Sequence, residues 1–245
     1  MTAVDLAVVA TAFVVAGIAK GALGMGLPPV ALGILSFALP LEASLAIMVI
    51  PTMTTNVWQA IYGGGFRSLL RRFGSMAAAS VVALLGVALA FGKLGTPTAA
   101  GWVGVVLVVY ALLALTAWRP AVPRHAERWA NPLIGALSGS VAGITGVAAV
   151  PFLPYMQSLD MDRHELVQGL GIMFLFIIGA LMMALALQGS FTPLNLAGGI
   201  GAIAPTFLGV WLGQKARARI SPDRFRLVFL IGMLLVGLQM SRALV

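Results

Sequence analysis

Residues 20–35 read KGALGMGLPPVALGIL and residues 142–156 read AGITGVAAVPFLPYM. Each sits in the middle of a longer apolar stretch, Asp5 to Leu39 in the first case and Asn131 to Leu159 in the second. Glycine and proline interrupt both stretches at a point where they make a continuous helix costly. The meaning of such an interruption depends on the solvent, and the composition identifies it. Of 245 residues, 60% are in the apolar set and 9% are charged, against roughly 25% charged in an ordinary soluble domain. So few charges would leave apolar surface far beyond what a soluble monomer tolerates. The chain is therefore read as an all-α polytopic membrane protein, with a lipid bilayer as its solvent. At about 20 residues per spanning helix, its length allows at most about eight or nine crossings and no sizeable soluble domain.

Six further stretches are long and apolar enough to cross unaided: Leu41 to Gly63, Phe73 to Gly92, Pro97 to Trp118, Glu165 to Leu187, Pro193 to Gly213 and Phe225 to Leu244. Their orientation follows from charge. Fifteen Lys and Arg against seven Asp and Glu give a formal net charge of +8. In a soluble protein this would suggest nucleic acid. In a membrane protein the excess belongs to cytoplasmic loops, and no nucleic-acid partner is expected. The strongly basic loops are RSLLRR (Arg67, Arg71, Arg72), RPAVPRHAERW (Arg119, Arg124, Arg128) and KARARISPDRFR (Lys215, Arg217, Arg219, Arg224, Arg226). Placing all three on one side requires the stretch Asn131 to Leu159 to enter and leave on the same face, because its length cannot cross twice, which needs about 40 residues. It is expected to be a re-entrant hairpin with its tip at the Gly/Pro break, where protein or a watery cavity satisfies the backbone.

A shift of 122 places superimposes Gly21, Gly24 and Pro29 on Gly143, Gly146 and Pro151, and Glu42 on His164. Under the same shift basic loops fall on nearly neutral ones, the charge signature of repeats inserted upside down relative to each other. The expected fold is two inverted-topology repeats, each a re-entrant helical hairpin plus three transmembrane helices: residues 1–118, a cytoplasmic linker at 119–131, and residues 132–245. Both termini then lie outside, Lys93 and Arg242 face outward, Lys20 sits at the first hairpin break, and the other basic residues face the cytoplasm. The N-terminal residues lack the basic start and cleavage site of a secretory signal, so they are expected to belong to the mature protein.

With these segments quoted, the chain resembles the sulfite exporter TauE/SafE family of four-helix-repeat sulfur-anion permeases, over nearly its whole length. The resemblance implies transport of sulfite, thiosulfate, small organosulfonates or related small organic anions across the bacterial inner membrane. By position it also implies that Gly21, Gly24, Pro29, Gly143, Gly146 and Pro151 form the paired re-entrant segments. The second hairpin lacks counterparts of Gly26 and Pro28 and has Ala142 where the first has Lys20.

The residues themselves supply candidate substrate contacts. Lys20 falls well inside the hydrocarbon core by helix rise, where a charge costs at least about 2.5 to 3.5 kcal/mol unless it meets water, a partner or an anion. It either attracts an anion or snorkels from a shallow hairpin. Helices restarting at Gly21, Gly24, Gly26, Gly143 and Gly146 would aim unpaired amides at an anion, or the glycines serve close helix packing, as the four-residue spacing of Gly135, Gly139 and Gly143 suggests. Thr52, Thr55, Asn56 and Gln59 share one helix face and line either a polar path or a hydrogen-bonded contact; Gln168 is the polar residue of the matching helix. Thr145 has a hydroxyl for an anion or for its own helix. Pro29 and Pro151 are structural. Asp162 with Glu165 reads as a capping pair, His164 as solvated, and Trp58 as a deeper tryptophan beside the polar stripe.

Cysteine is absent and two histidines are too few for a metal constellation, so no metal or cofactor is expected. An enzyme would need a convergent nucleophile, acid or base, which a lone lysine does not provide. Alternatives to sulfur-anion transport are a non-transporting membrane assembly role and transport of a non-sulfur organic anion.

Overall fold

A computed structural model describes residues 3–92, 94–116, 122–148, 150–217 and 222–244. Lys93, Trp118, Arg119 and Arg219 lie outside them. The described residues form helices joined by short turns, with no strand among them: α1 (Ala3–Leu23), α2 (Leu27–Leu35), α3 (Leu41–Ile61), α4 (Phe66–Phe91), α5 (Pro97–Leu115), α6 (Arg124–Thr145), α7 (Phe152–Ser158), α8 (Arg163–Leu187), α9 (Pro193–Gly201), α10 (Ile203–Arg217), α11 (Pro222–Ser241) and a final 3-10 turn, Arg242–Leu244. Six segments are long and apolar enough to cross a membrane: Asp5–Leu23, Phe66–Phe91, Thr98–Leu115, Arg163–Leu187, Pro193–Ala216 and Leu227–Leu244. This is a multi-pass membrane protein, and its lipid-facing side chains are apolar, as with Val82, Leu89, Ile200, Val228 and Leu235, each more than half exposed.

Both interruptions are present and are built alike. α1 stops where Gly24 turns left-handed at φ 79° and donates its N–H to the Lys20 carbonyl at 2.7 Å. α6 stops where Gly146 turns left-handed at φ 75° and donates to the Ala142 carbonyl at 2.7 Å. Glycine adopts this conformation without the Cβ penalty that other residues incur. The first break falls later than the sequence suggests. Lys20 and Gly21 lie in the last turn of α1, because the helix propagates until Gly24. α1 therefore has 21 residues, about 31 Å at 1.5 Å per residue, and is long enough to cross where a shorter hairpin arm was expected. α3, expected as a plain span, is a full 21-residue helix whose polar stripe keeps it out of the six strongly apolar segments.

Hydrogen bonds fix the two ends of the bundle. At one end, Gln59 Nε2 of α3 donates to the carbonyls of Gly24 and Val167, and Gln168 Nε2 of α8 donates to the Ala60 carbonyl. Arg72 of α4 grips Glu127 of α6 there with two bonds of 2.7 and 2.6 Å. This end carries Arg67, Arg71, Arg72, Arg124, Arg128 and Arg163 and is the basic end. α1 and α3 end there, whereas α6 and α8 begin there. At the opposite end Gln188 bonds the Leu94 N–H and the Gly92 carbonyl, and Ser190 donates to Glu42.

Helices pair across the two halves of the chain: α1 with α10, α4 with α6, α5 with α11, and α3 with α8. Small residues permit the closest of these contacts. A Cβ on Gly135 or Gly139 of α6 would lie 2.3 or 2.2 Å from the Met76 or Ser80 carbonyl oxygen of α4. On Gly21 of α1 it would lie 2.2 Å from the Val210 oxygen of α10. The α9–α10 bend follows from Pro205, which leaves the Gly201 carbonyl without its helical donor.

Gly139→Val should therefore cost about 1–3 kcal/mol through overpacking, read as a lowered melting temperature in detergent micelles. Gly86→Ala in α4, whose Cβ would meet nothing within 4 Å, should leave the melting temperature unchanged or raise it.

Candidate functional site

The polar residues of the bundle converge near the basic end. α1 brings Lys20, Gly21 and Gly24; α3 brings Thr55, Trp58, Gln59, Tyr62 and Gly63; α8 brings Arg163, His164, Val167 and Gln168; α10 brings Phe207, Val210 and Gln214. Together they line a cavity of about 350 Å³, within the range of small-ligand sites. None of its lining residues is Asp or Glu. Lys20 is buried at 7% exposure, and its ammonium donates a hydrogen bond to Asn56 Oδ1. Asn56 is fully buried, and its Nδ2 has no hydrogen-bond partner. Such an orphaned donor next to a buried cation calls for an acceptor, and the acceptor best matched to both groups is an anion. Arg163 and His164 are exposed at the mouth, where Arg163 extends the same sign of charge outward.

The remaining polar residues of α3 and α8 are tied to the protein. Thr52 donates to the Met48 carbonyl at 2.7 Å, and Thr55 to the Pro51 and Thr52 carbonyls at 2.9 and 3.0 Å. Their hydroxyl hydrogens are thus committed to their own helix, although Thr55 still borders the cavity. Gln59 ties the end of α1 to α8, with bonds of 3.0 Å to Gly24 and 2.6 Å to Val167. Gln168 closes the α3–α4 turn by accepting from the Gly65 N–H at 3.1 Å and donating to Ala60 at 2.8 Å. Trp58 is exposed and stacked on Tyr62 with ring centroids 5.6 Å apart, so it flanks the mouth and does not lie deep beside the stripe.

The two breaks do meet, at a different place. Gly26, Pro28 and Pro29 face Gly146, Val147 and Ala148 around a cavity of about 20 Å³, closed by Tyr110, Phe174, Ile177 and Ile178. This volume admits one or two water molecules. Few amides are available there. Pro28 and Pro29 occupy the second and third positions of α2 and carry no N–H, so the amide cradle expected at that helix start loses two of its donors. Pro151 precedes the first residue of α7, and Pro154 is its third. Gly143 lies on the α4 contact, with the Leu84 oxygen 2.8 Å from its Cβ position. Thr145 caps α6, donating to Val141 and accepting from the Val147 N–H at 2.8 and 3.1 Å. Gly143 and Thr145 border a separate groove at the opposite end, with Phe91, Thr96 and Trp102.

Sequence reasoning missed one polar chain. Glu127 is buried at 6% exposure under Arg72. Asn131 Nδ2 donates to the Arg72 carbonyl at 2.9 Å, and Tyr155 donates to Asn131 Oδ1 at 2.6 Å. The chain joins α4, α6 and α7 and so seats the second break. Its signal was the spacing of Glu127 and Asn131, four residues apart on one face of α6, hidden within a loop read only for its positive charge. The capping pair is as read: Asp162 accepts from the His164 and Glu165 N–H groups, and Glu165 returns a bond to the Asp162 N–H.

Comparison with known proteins gives one match. The family model described as Sulfite exporter TauE/SafE matches residues 9–240. No curated protein and no solved structure matches the chain.

The buried Arg72–Glu127 pair makes a stability prediction. Arg72→Leu leaves a carboxylate buried without its partner and should cost about 3 kcal/mol or more, whereas Arg72→Leu with Glu127→Leu should recover most of the loss. Chemical unfolding of the three proteins in micelles measures both effects.

Proposed function

Because the chain belongs to the sulfite exporter TauE/SafE family, a family of membrane anion transporters, we propose that it carries a small anion, such as sulfite, thiosulfate or an organosulfonate, across the bacterial inner membrane. The observation that carries this reading is the acid-free cavity lined by Lys20, whose ammonium donates to Asn56 Oδ1 just behind the wall, while the Nδ2 of that buried amide is unpaired. The ammonium holds the anion by charge, the amide adds a directed hydrogen bond, and Arg163 draws anions to the mouth. Thr55, Gln59 and Gln168 shape the wall, with Gly24 at the break that lets α3 and α8 approach the end of α1.

The basic end is the cytoplasmic end by the charge rule, so the cavity opens inward and both termini lie outside. The two halves are inverted repeats. Support comes from the directions of their helices: α1 and α3 run toward the basic end, while α6 and α8, their counterparts 122 places on, run away from it. Transport then proceeds when one half rocks against the other and re-exposes the Lys20 site on the far side. The small apolar cavity between the breaks, with Phe174, Ile177 and Ile178, is the barrier that such a motion opens. The membrane potential, inside negative, favours outward movement of an anion by about 2.3 kcal/mol per charge per 100 mV.

Purified protein in liposomes preloaded with the unlabelled anion should take up radiolabelled sulfite, thiosulfate or an organosulfonate from the outside. Lys20→Ala and Asn56→Leu should each lower the flux by about tenfold to a hundredfold, the loss expected for a hydrogen bond to a charged group. Gly86→Ala should not change it. Unaltered flux in both site variants would reject the assignment.

A further inference from the structure

The partner of the Lys20 ammonium is the neutral amide oxygen of Asn56, and no carboxylate lines the cavity around it. The corresponding positions of the second half are Ala142 for Lys20, Ile178 for Asn56 and Leu181 for Gln59, all buried and apolar. Between the cavity and the opposite end stand Gly146, Ile177 and Ile178, which leave space for no more than a water or two. We infer that the protein is an obligate anion exchanger: the Lys20 site changes sides with an anion seated on it and stays where it is when empty.

The argument rests on the reading that Lys20 contacts the transported anion. Moving a site across a membrane requires an intermediate closed at both ends. In that intermediate an empty site would hold an ammonium whose partner is the neutral Asn56 amide oxygen, away from bulk water and without a counter-charge, which is the costly arrangement for an ionised side chain at membrane depth. A seated monovalent anion, such as bisulfite or a simple sulfonate, supplies the missing counter-charge. The loaded protein thus crosses the barrier far more readily than the empty one. Each outward passage of an anion must be followed by the return passage of another.

The test uses the full-length protein in liposomes loaded with radiolabelled bisulfite, methanesulfonate or a hydroxyalkanesulfonate, each monovalent, with membrane potential and pH clamped. Efflux is measured into buffer with and without the same unlabelled anion. Efflux at least about tenfold faster with external anion is expected, because an uncompensated buried charge carries at least that penalty. Lys20→Arg should keep the dependence on external anion, and Lys20→Gln should abolish it, the ratio of the two rates being the readout in each variant after its fold is checked by size exclusion. Equal rates with and without external anion in the native protein would overturn the inference while leaving transport intact. So would a full rate restored by a pH gradient alone, which would assign the return step to loss of the ammonium proton. Persistence of the dependence in Lys20→Gln would overturn the role given to Lys20. Absence of flux for all three anions in both modes would instead remove the transport reading, and the exchange mode with it.

Discussion

A helix that stops within a packed bundle leaves carbonyl and amide groups without intrahelical partners, and the two breaks after Leu23 and Thr145 place that demand on everything around them. Each meets it partly by itself, with a left-handed glycine returning its N–H to the carbonyl four residues back. The rest comes from neighbours. Gln59 reaches from α3 to cover the Gly24 carbonyl and at the same time the Val167 carbonyl of α8. Thr145 serves the second break from within its own helix, accepting the Val147 N–H. The same requirement explains Gln168 and Gln188, the two amides of α8. Each joins a carbonyl and an N–H at an interhelical turn, one between α3 and α4 and the other between α4 and α5.

These solutions differ in what they leave unfilled. Where the breaks face each other, prolines remove donors and apolar side chains close the gap, so that region is better suited to sealing than to binding. One turn back along α1, Lys20 faces a wall of amides and hydroxyls with no acid in it. The charge and the barrier are thus separate parts of the structure. On the proposed function, binding belongs to the contact of α1 with α3, α8 and α10, and occlusion to the meeting of the two breaks. A device that must hold an ion and block its path at different moments gains from keeping these elements on different residues, because either can then move without dismantling the other.

Much of this was legible in the sequence, for reasons specific to each element. The breaks were visible because glycine and proline within 30 apolar residues have few other uses. The polar face of α3 was visible because Thr52, Thr55, Asn56 and Gln59 recur at helical spacing. The exact end of α1 was not legible: Gly21 and Gly24 look alike in the sequence, and the difference arises only because α10 packs its backbone at the Val210 carbonyl against Gly21. For the same reason Gly143, which reads as a site residue, lies on a helix contact. The partner of Lys20 was equally out of reach, since it depends on the rotation of α1 about its axis relative to α3. The Arg72–Glu127 pair was concealed because a charge count treats an arginine near a helix start as a topological marker. It does not reveal that a carboxylate is buried beneath it.

The asymmetry between the halves has a physical rationale of its own. If Ala142 were a lysine, the closed intermediate would contain two ammonium groups with no acid nearby, and a single monovalent anion would leave one of them uncompensated. Holding one cation in the first half and the apolar residues Ala142, Ile178 and Leu181 at the matching positions of the second limits the internal charge to what one bound anion can balance. On the reading of two inverted repeats, the two breaks act as equivalent hinges while the side chains of one half supply the binding site. Two halves related in the proposed way could exchange places across the membrane without both having to bind, because the inversion concerns the helices and their breaks, whereas the chemistry requires only one positive charge and a partner amide at one of them.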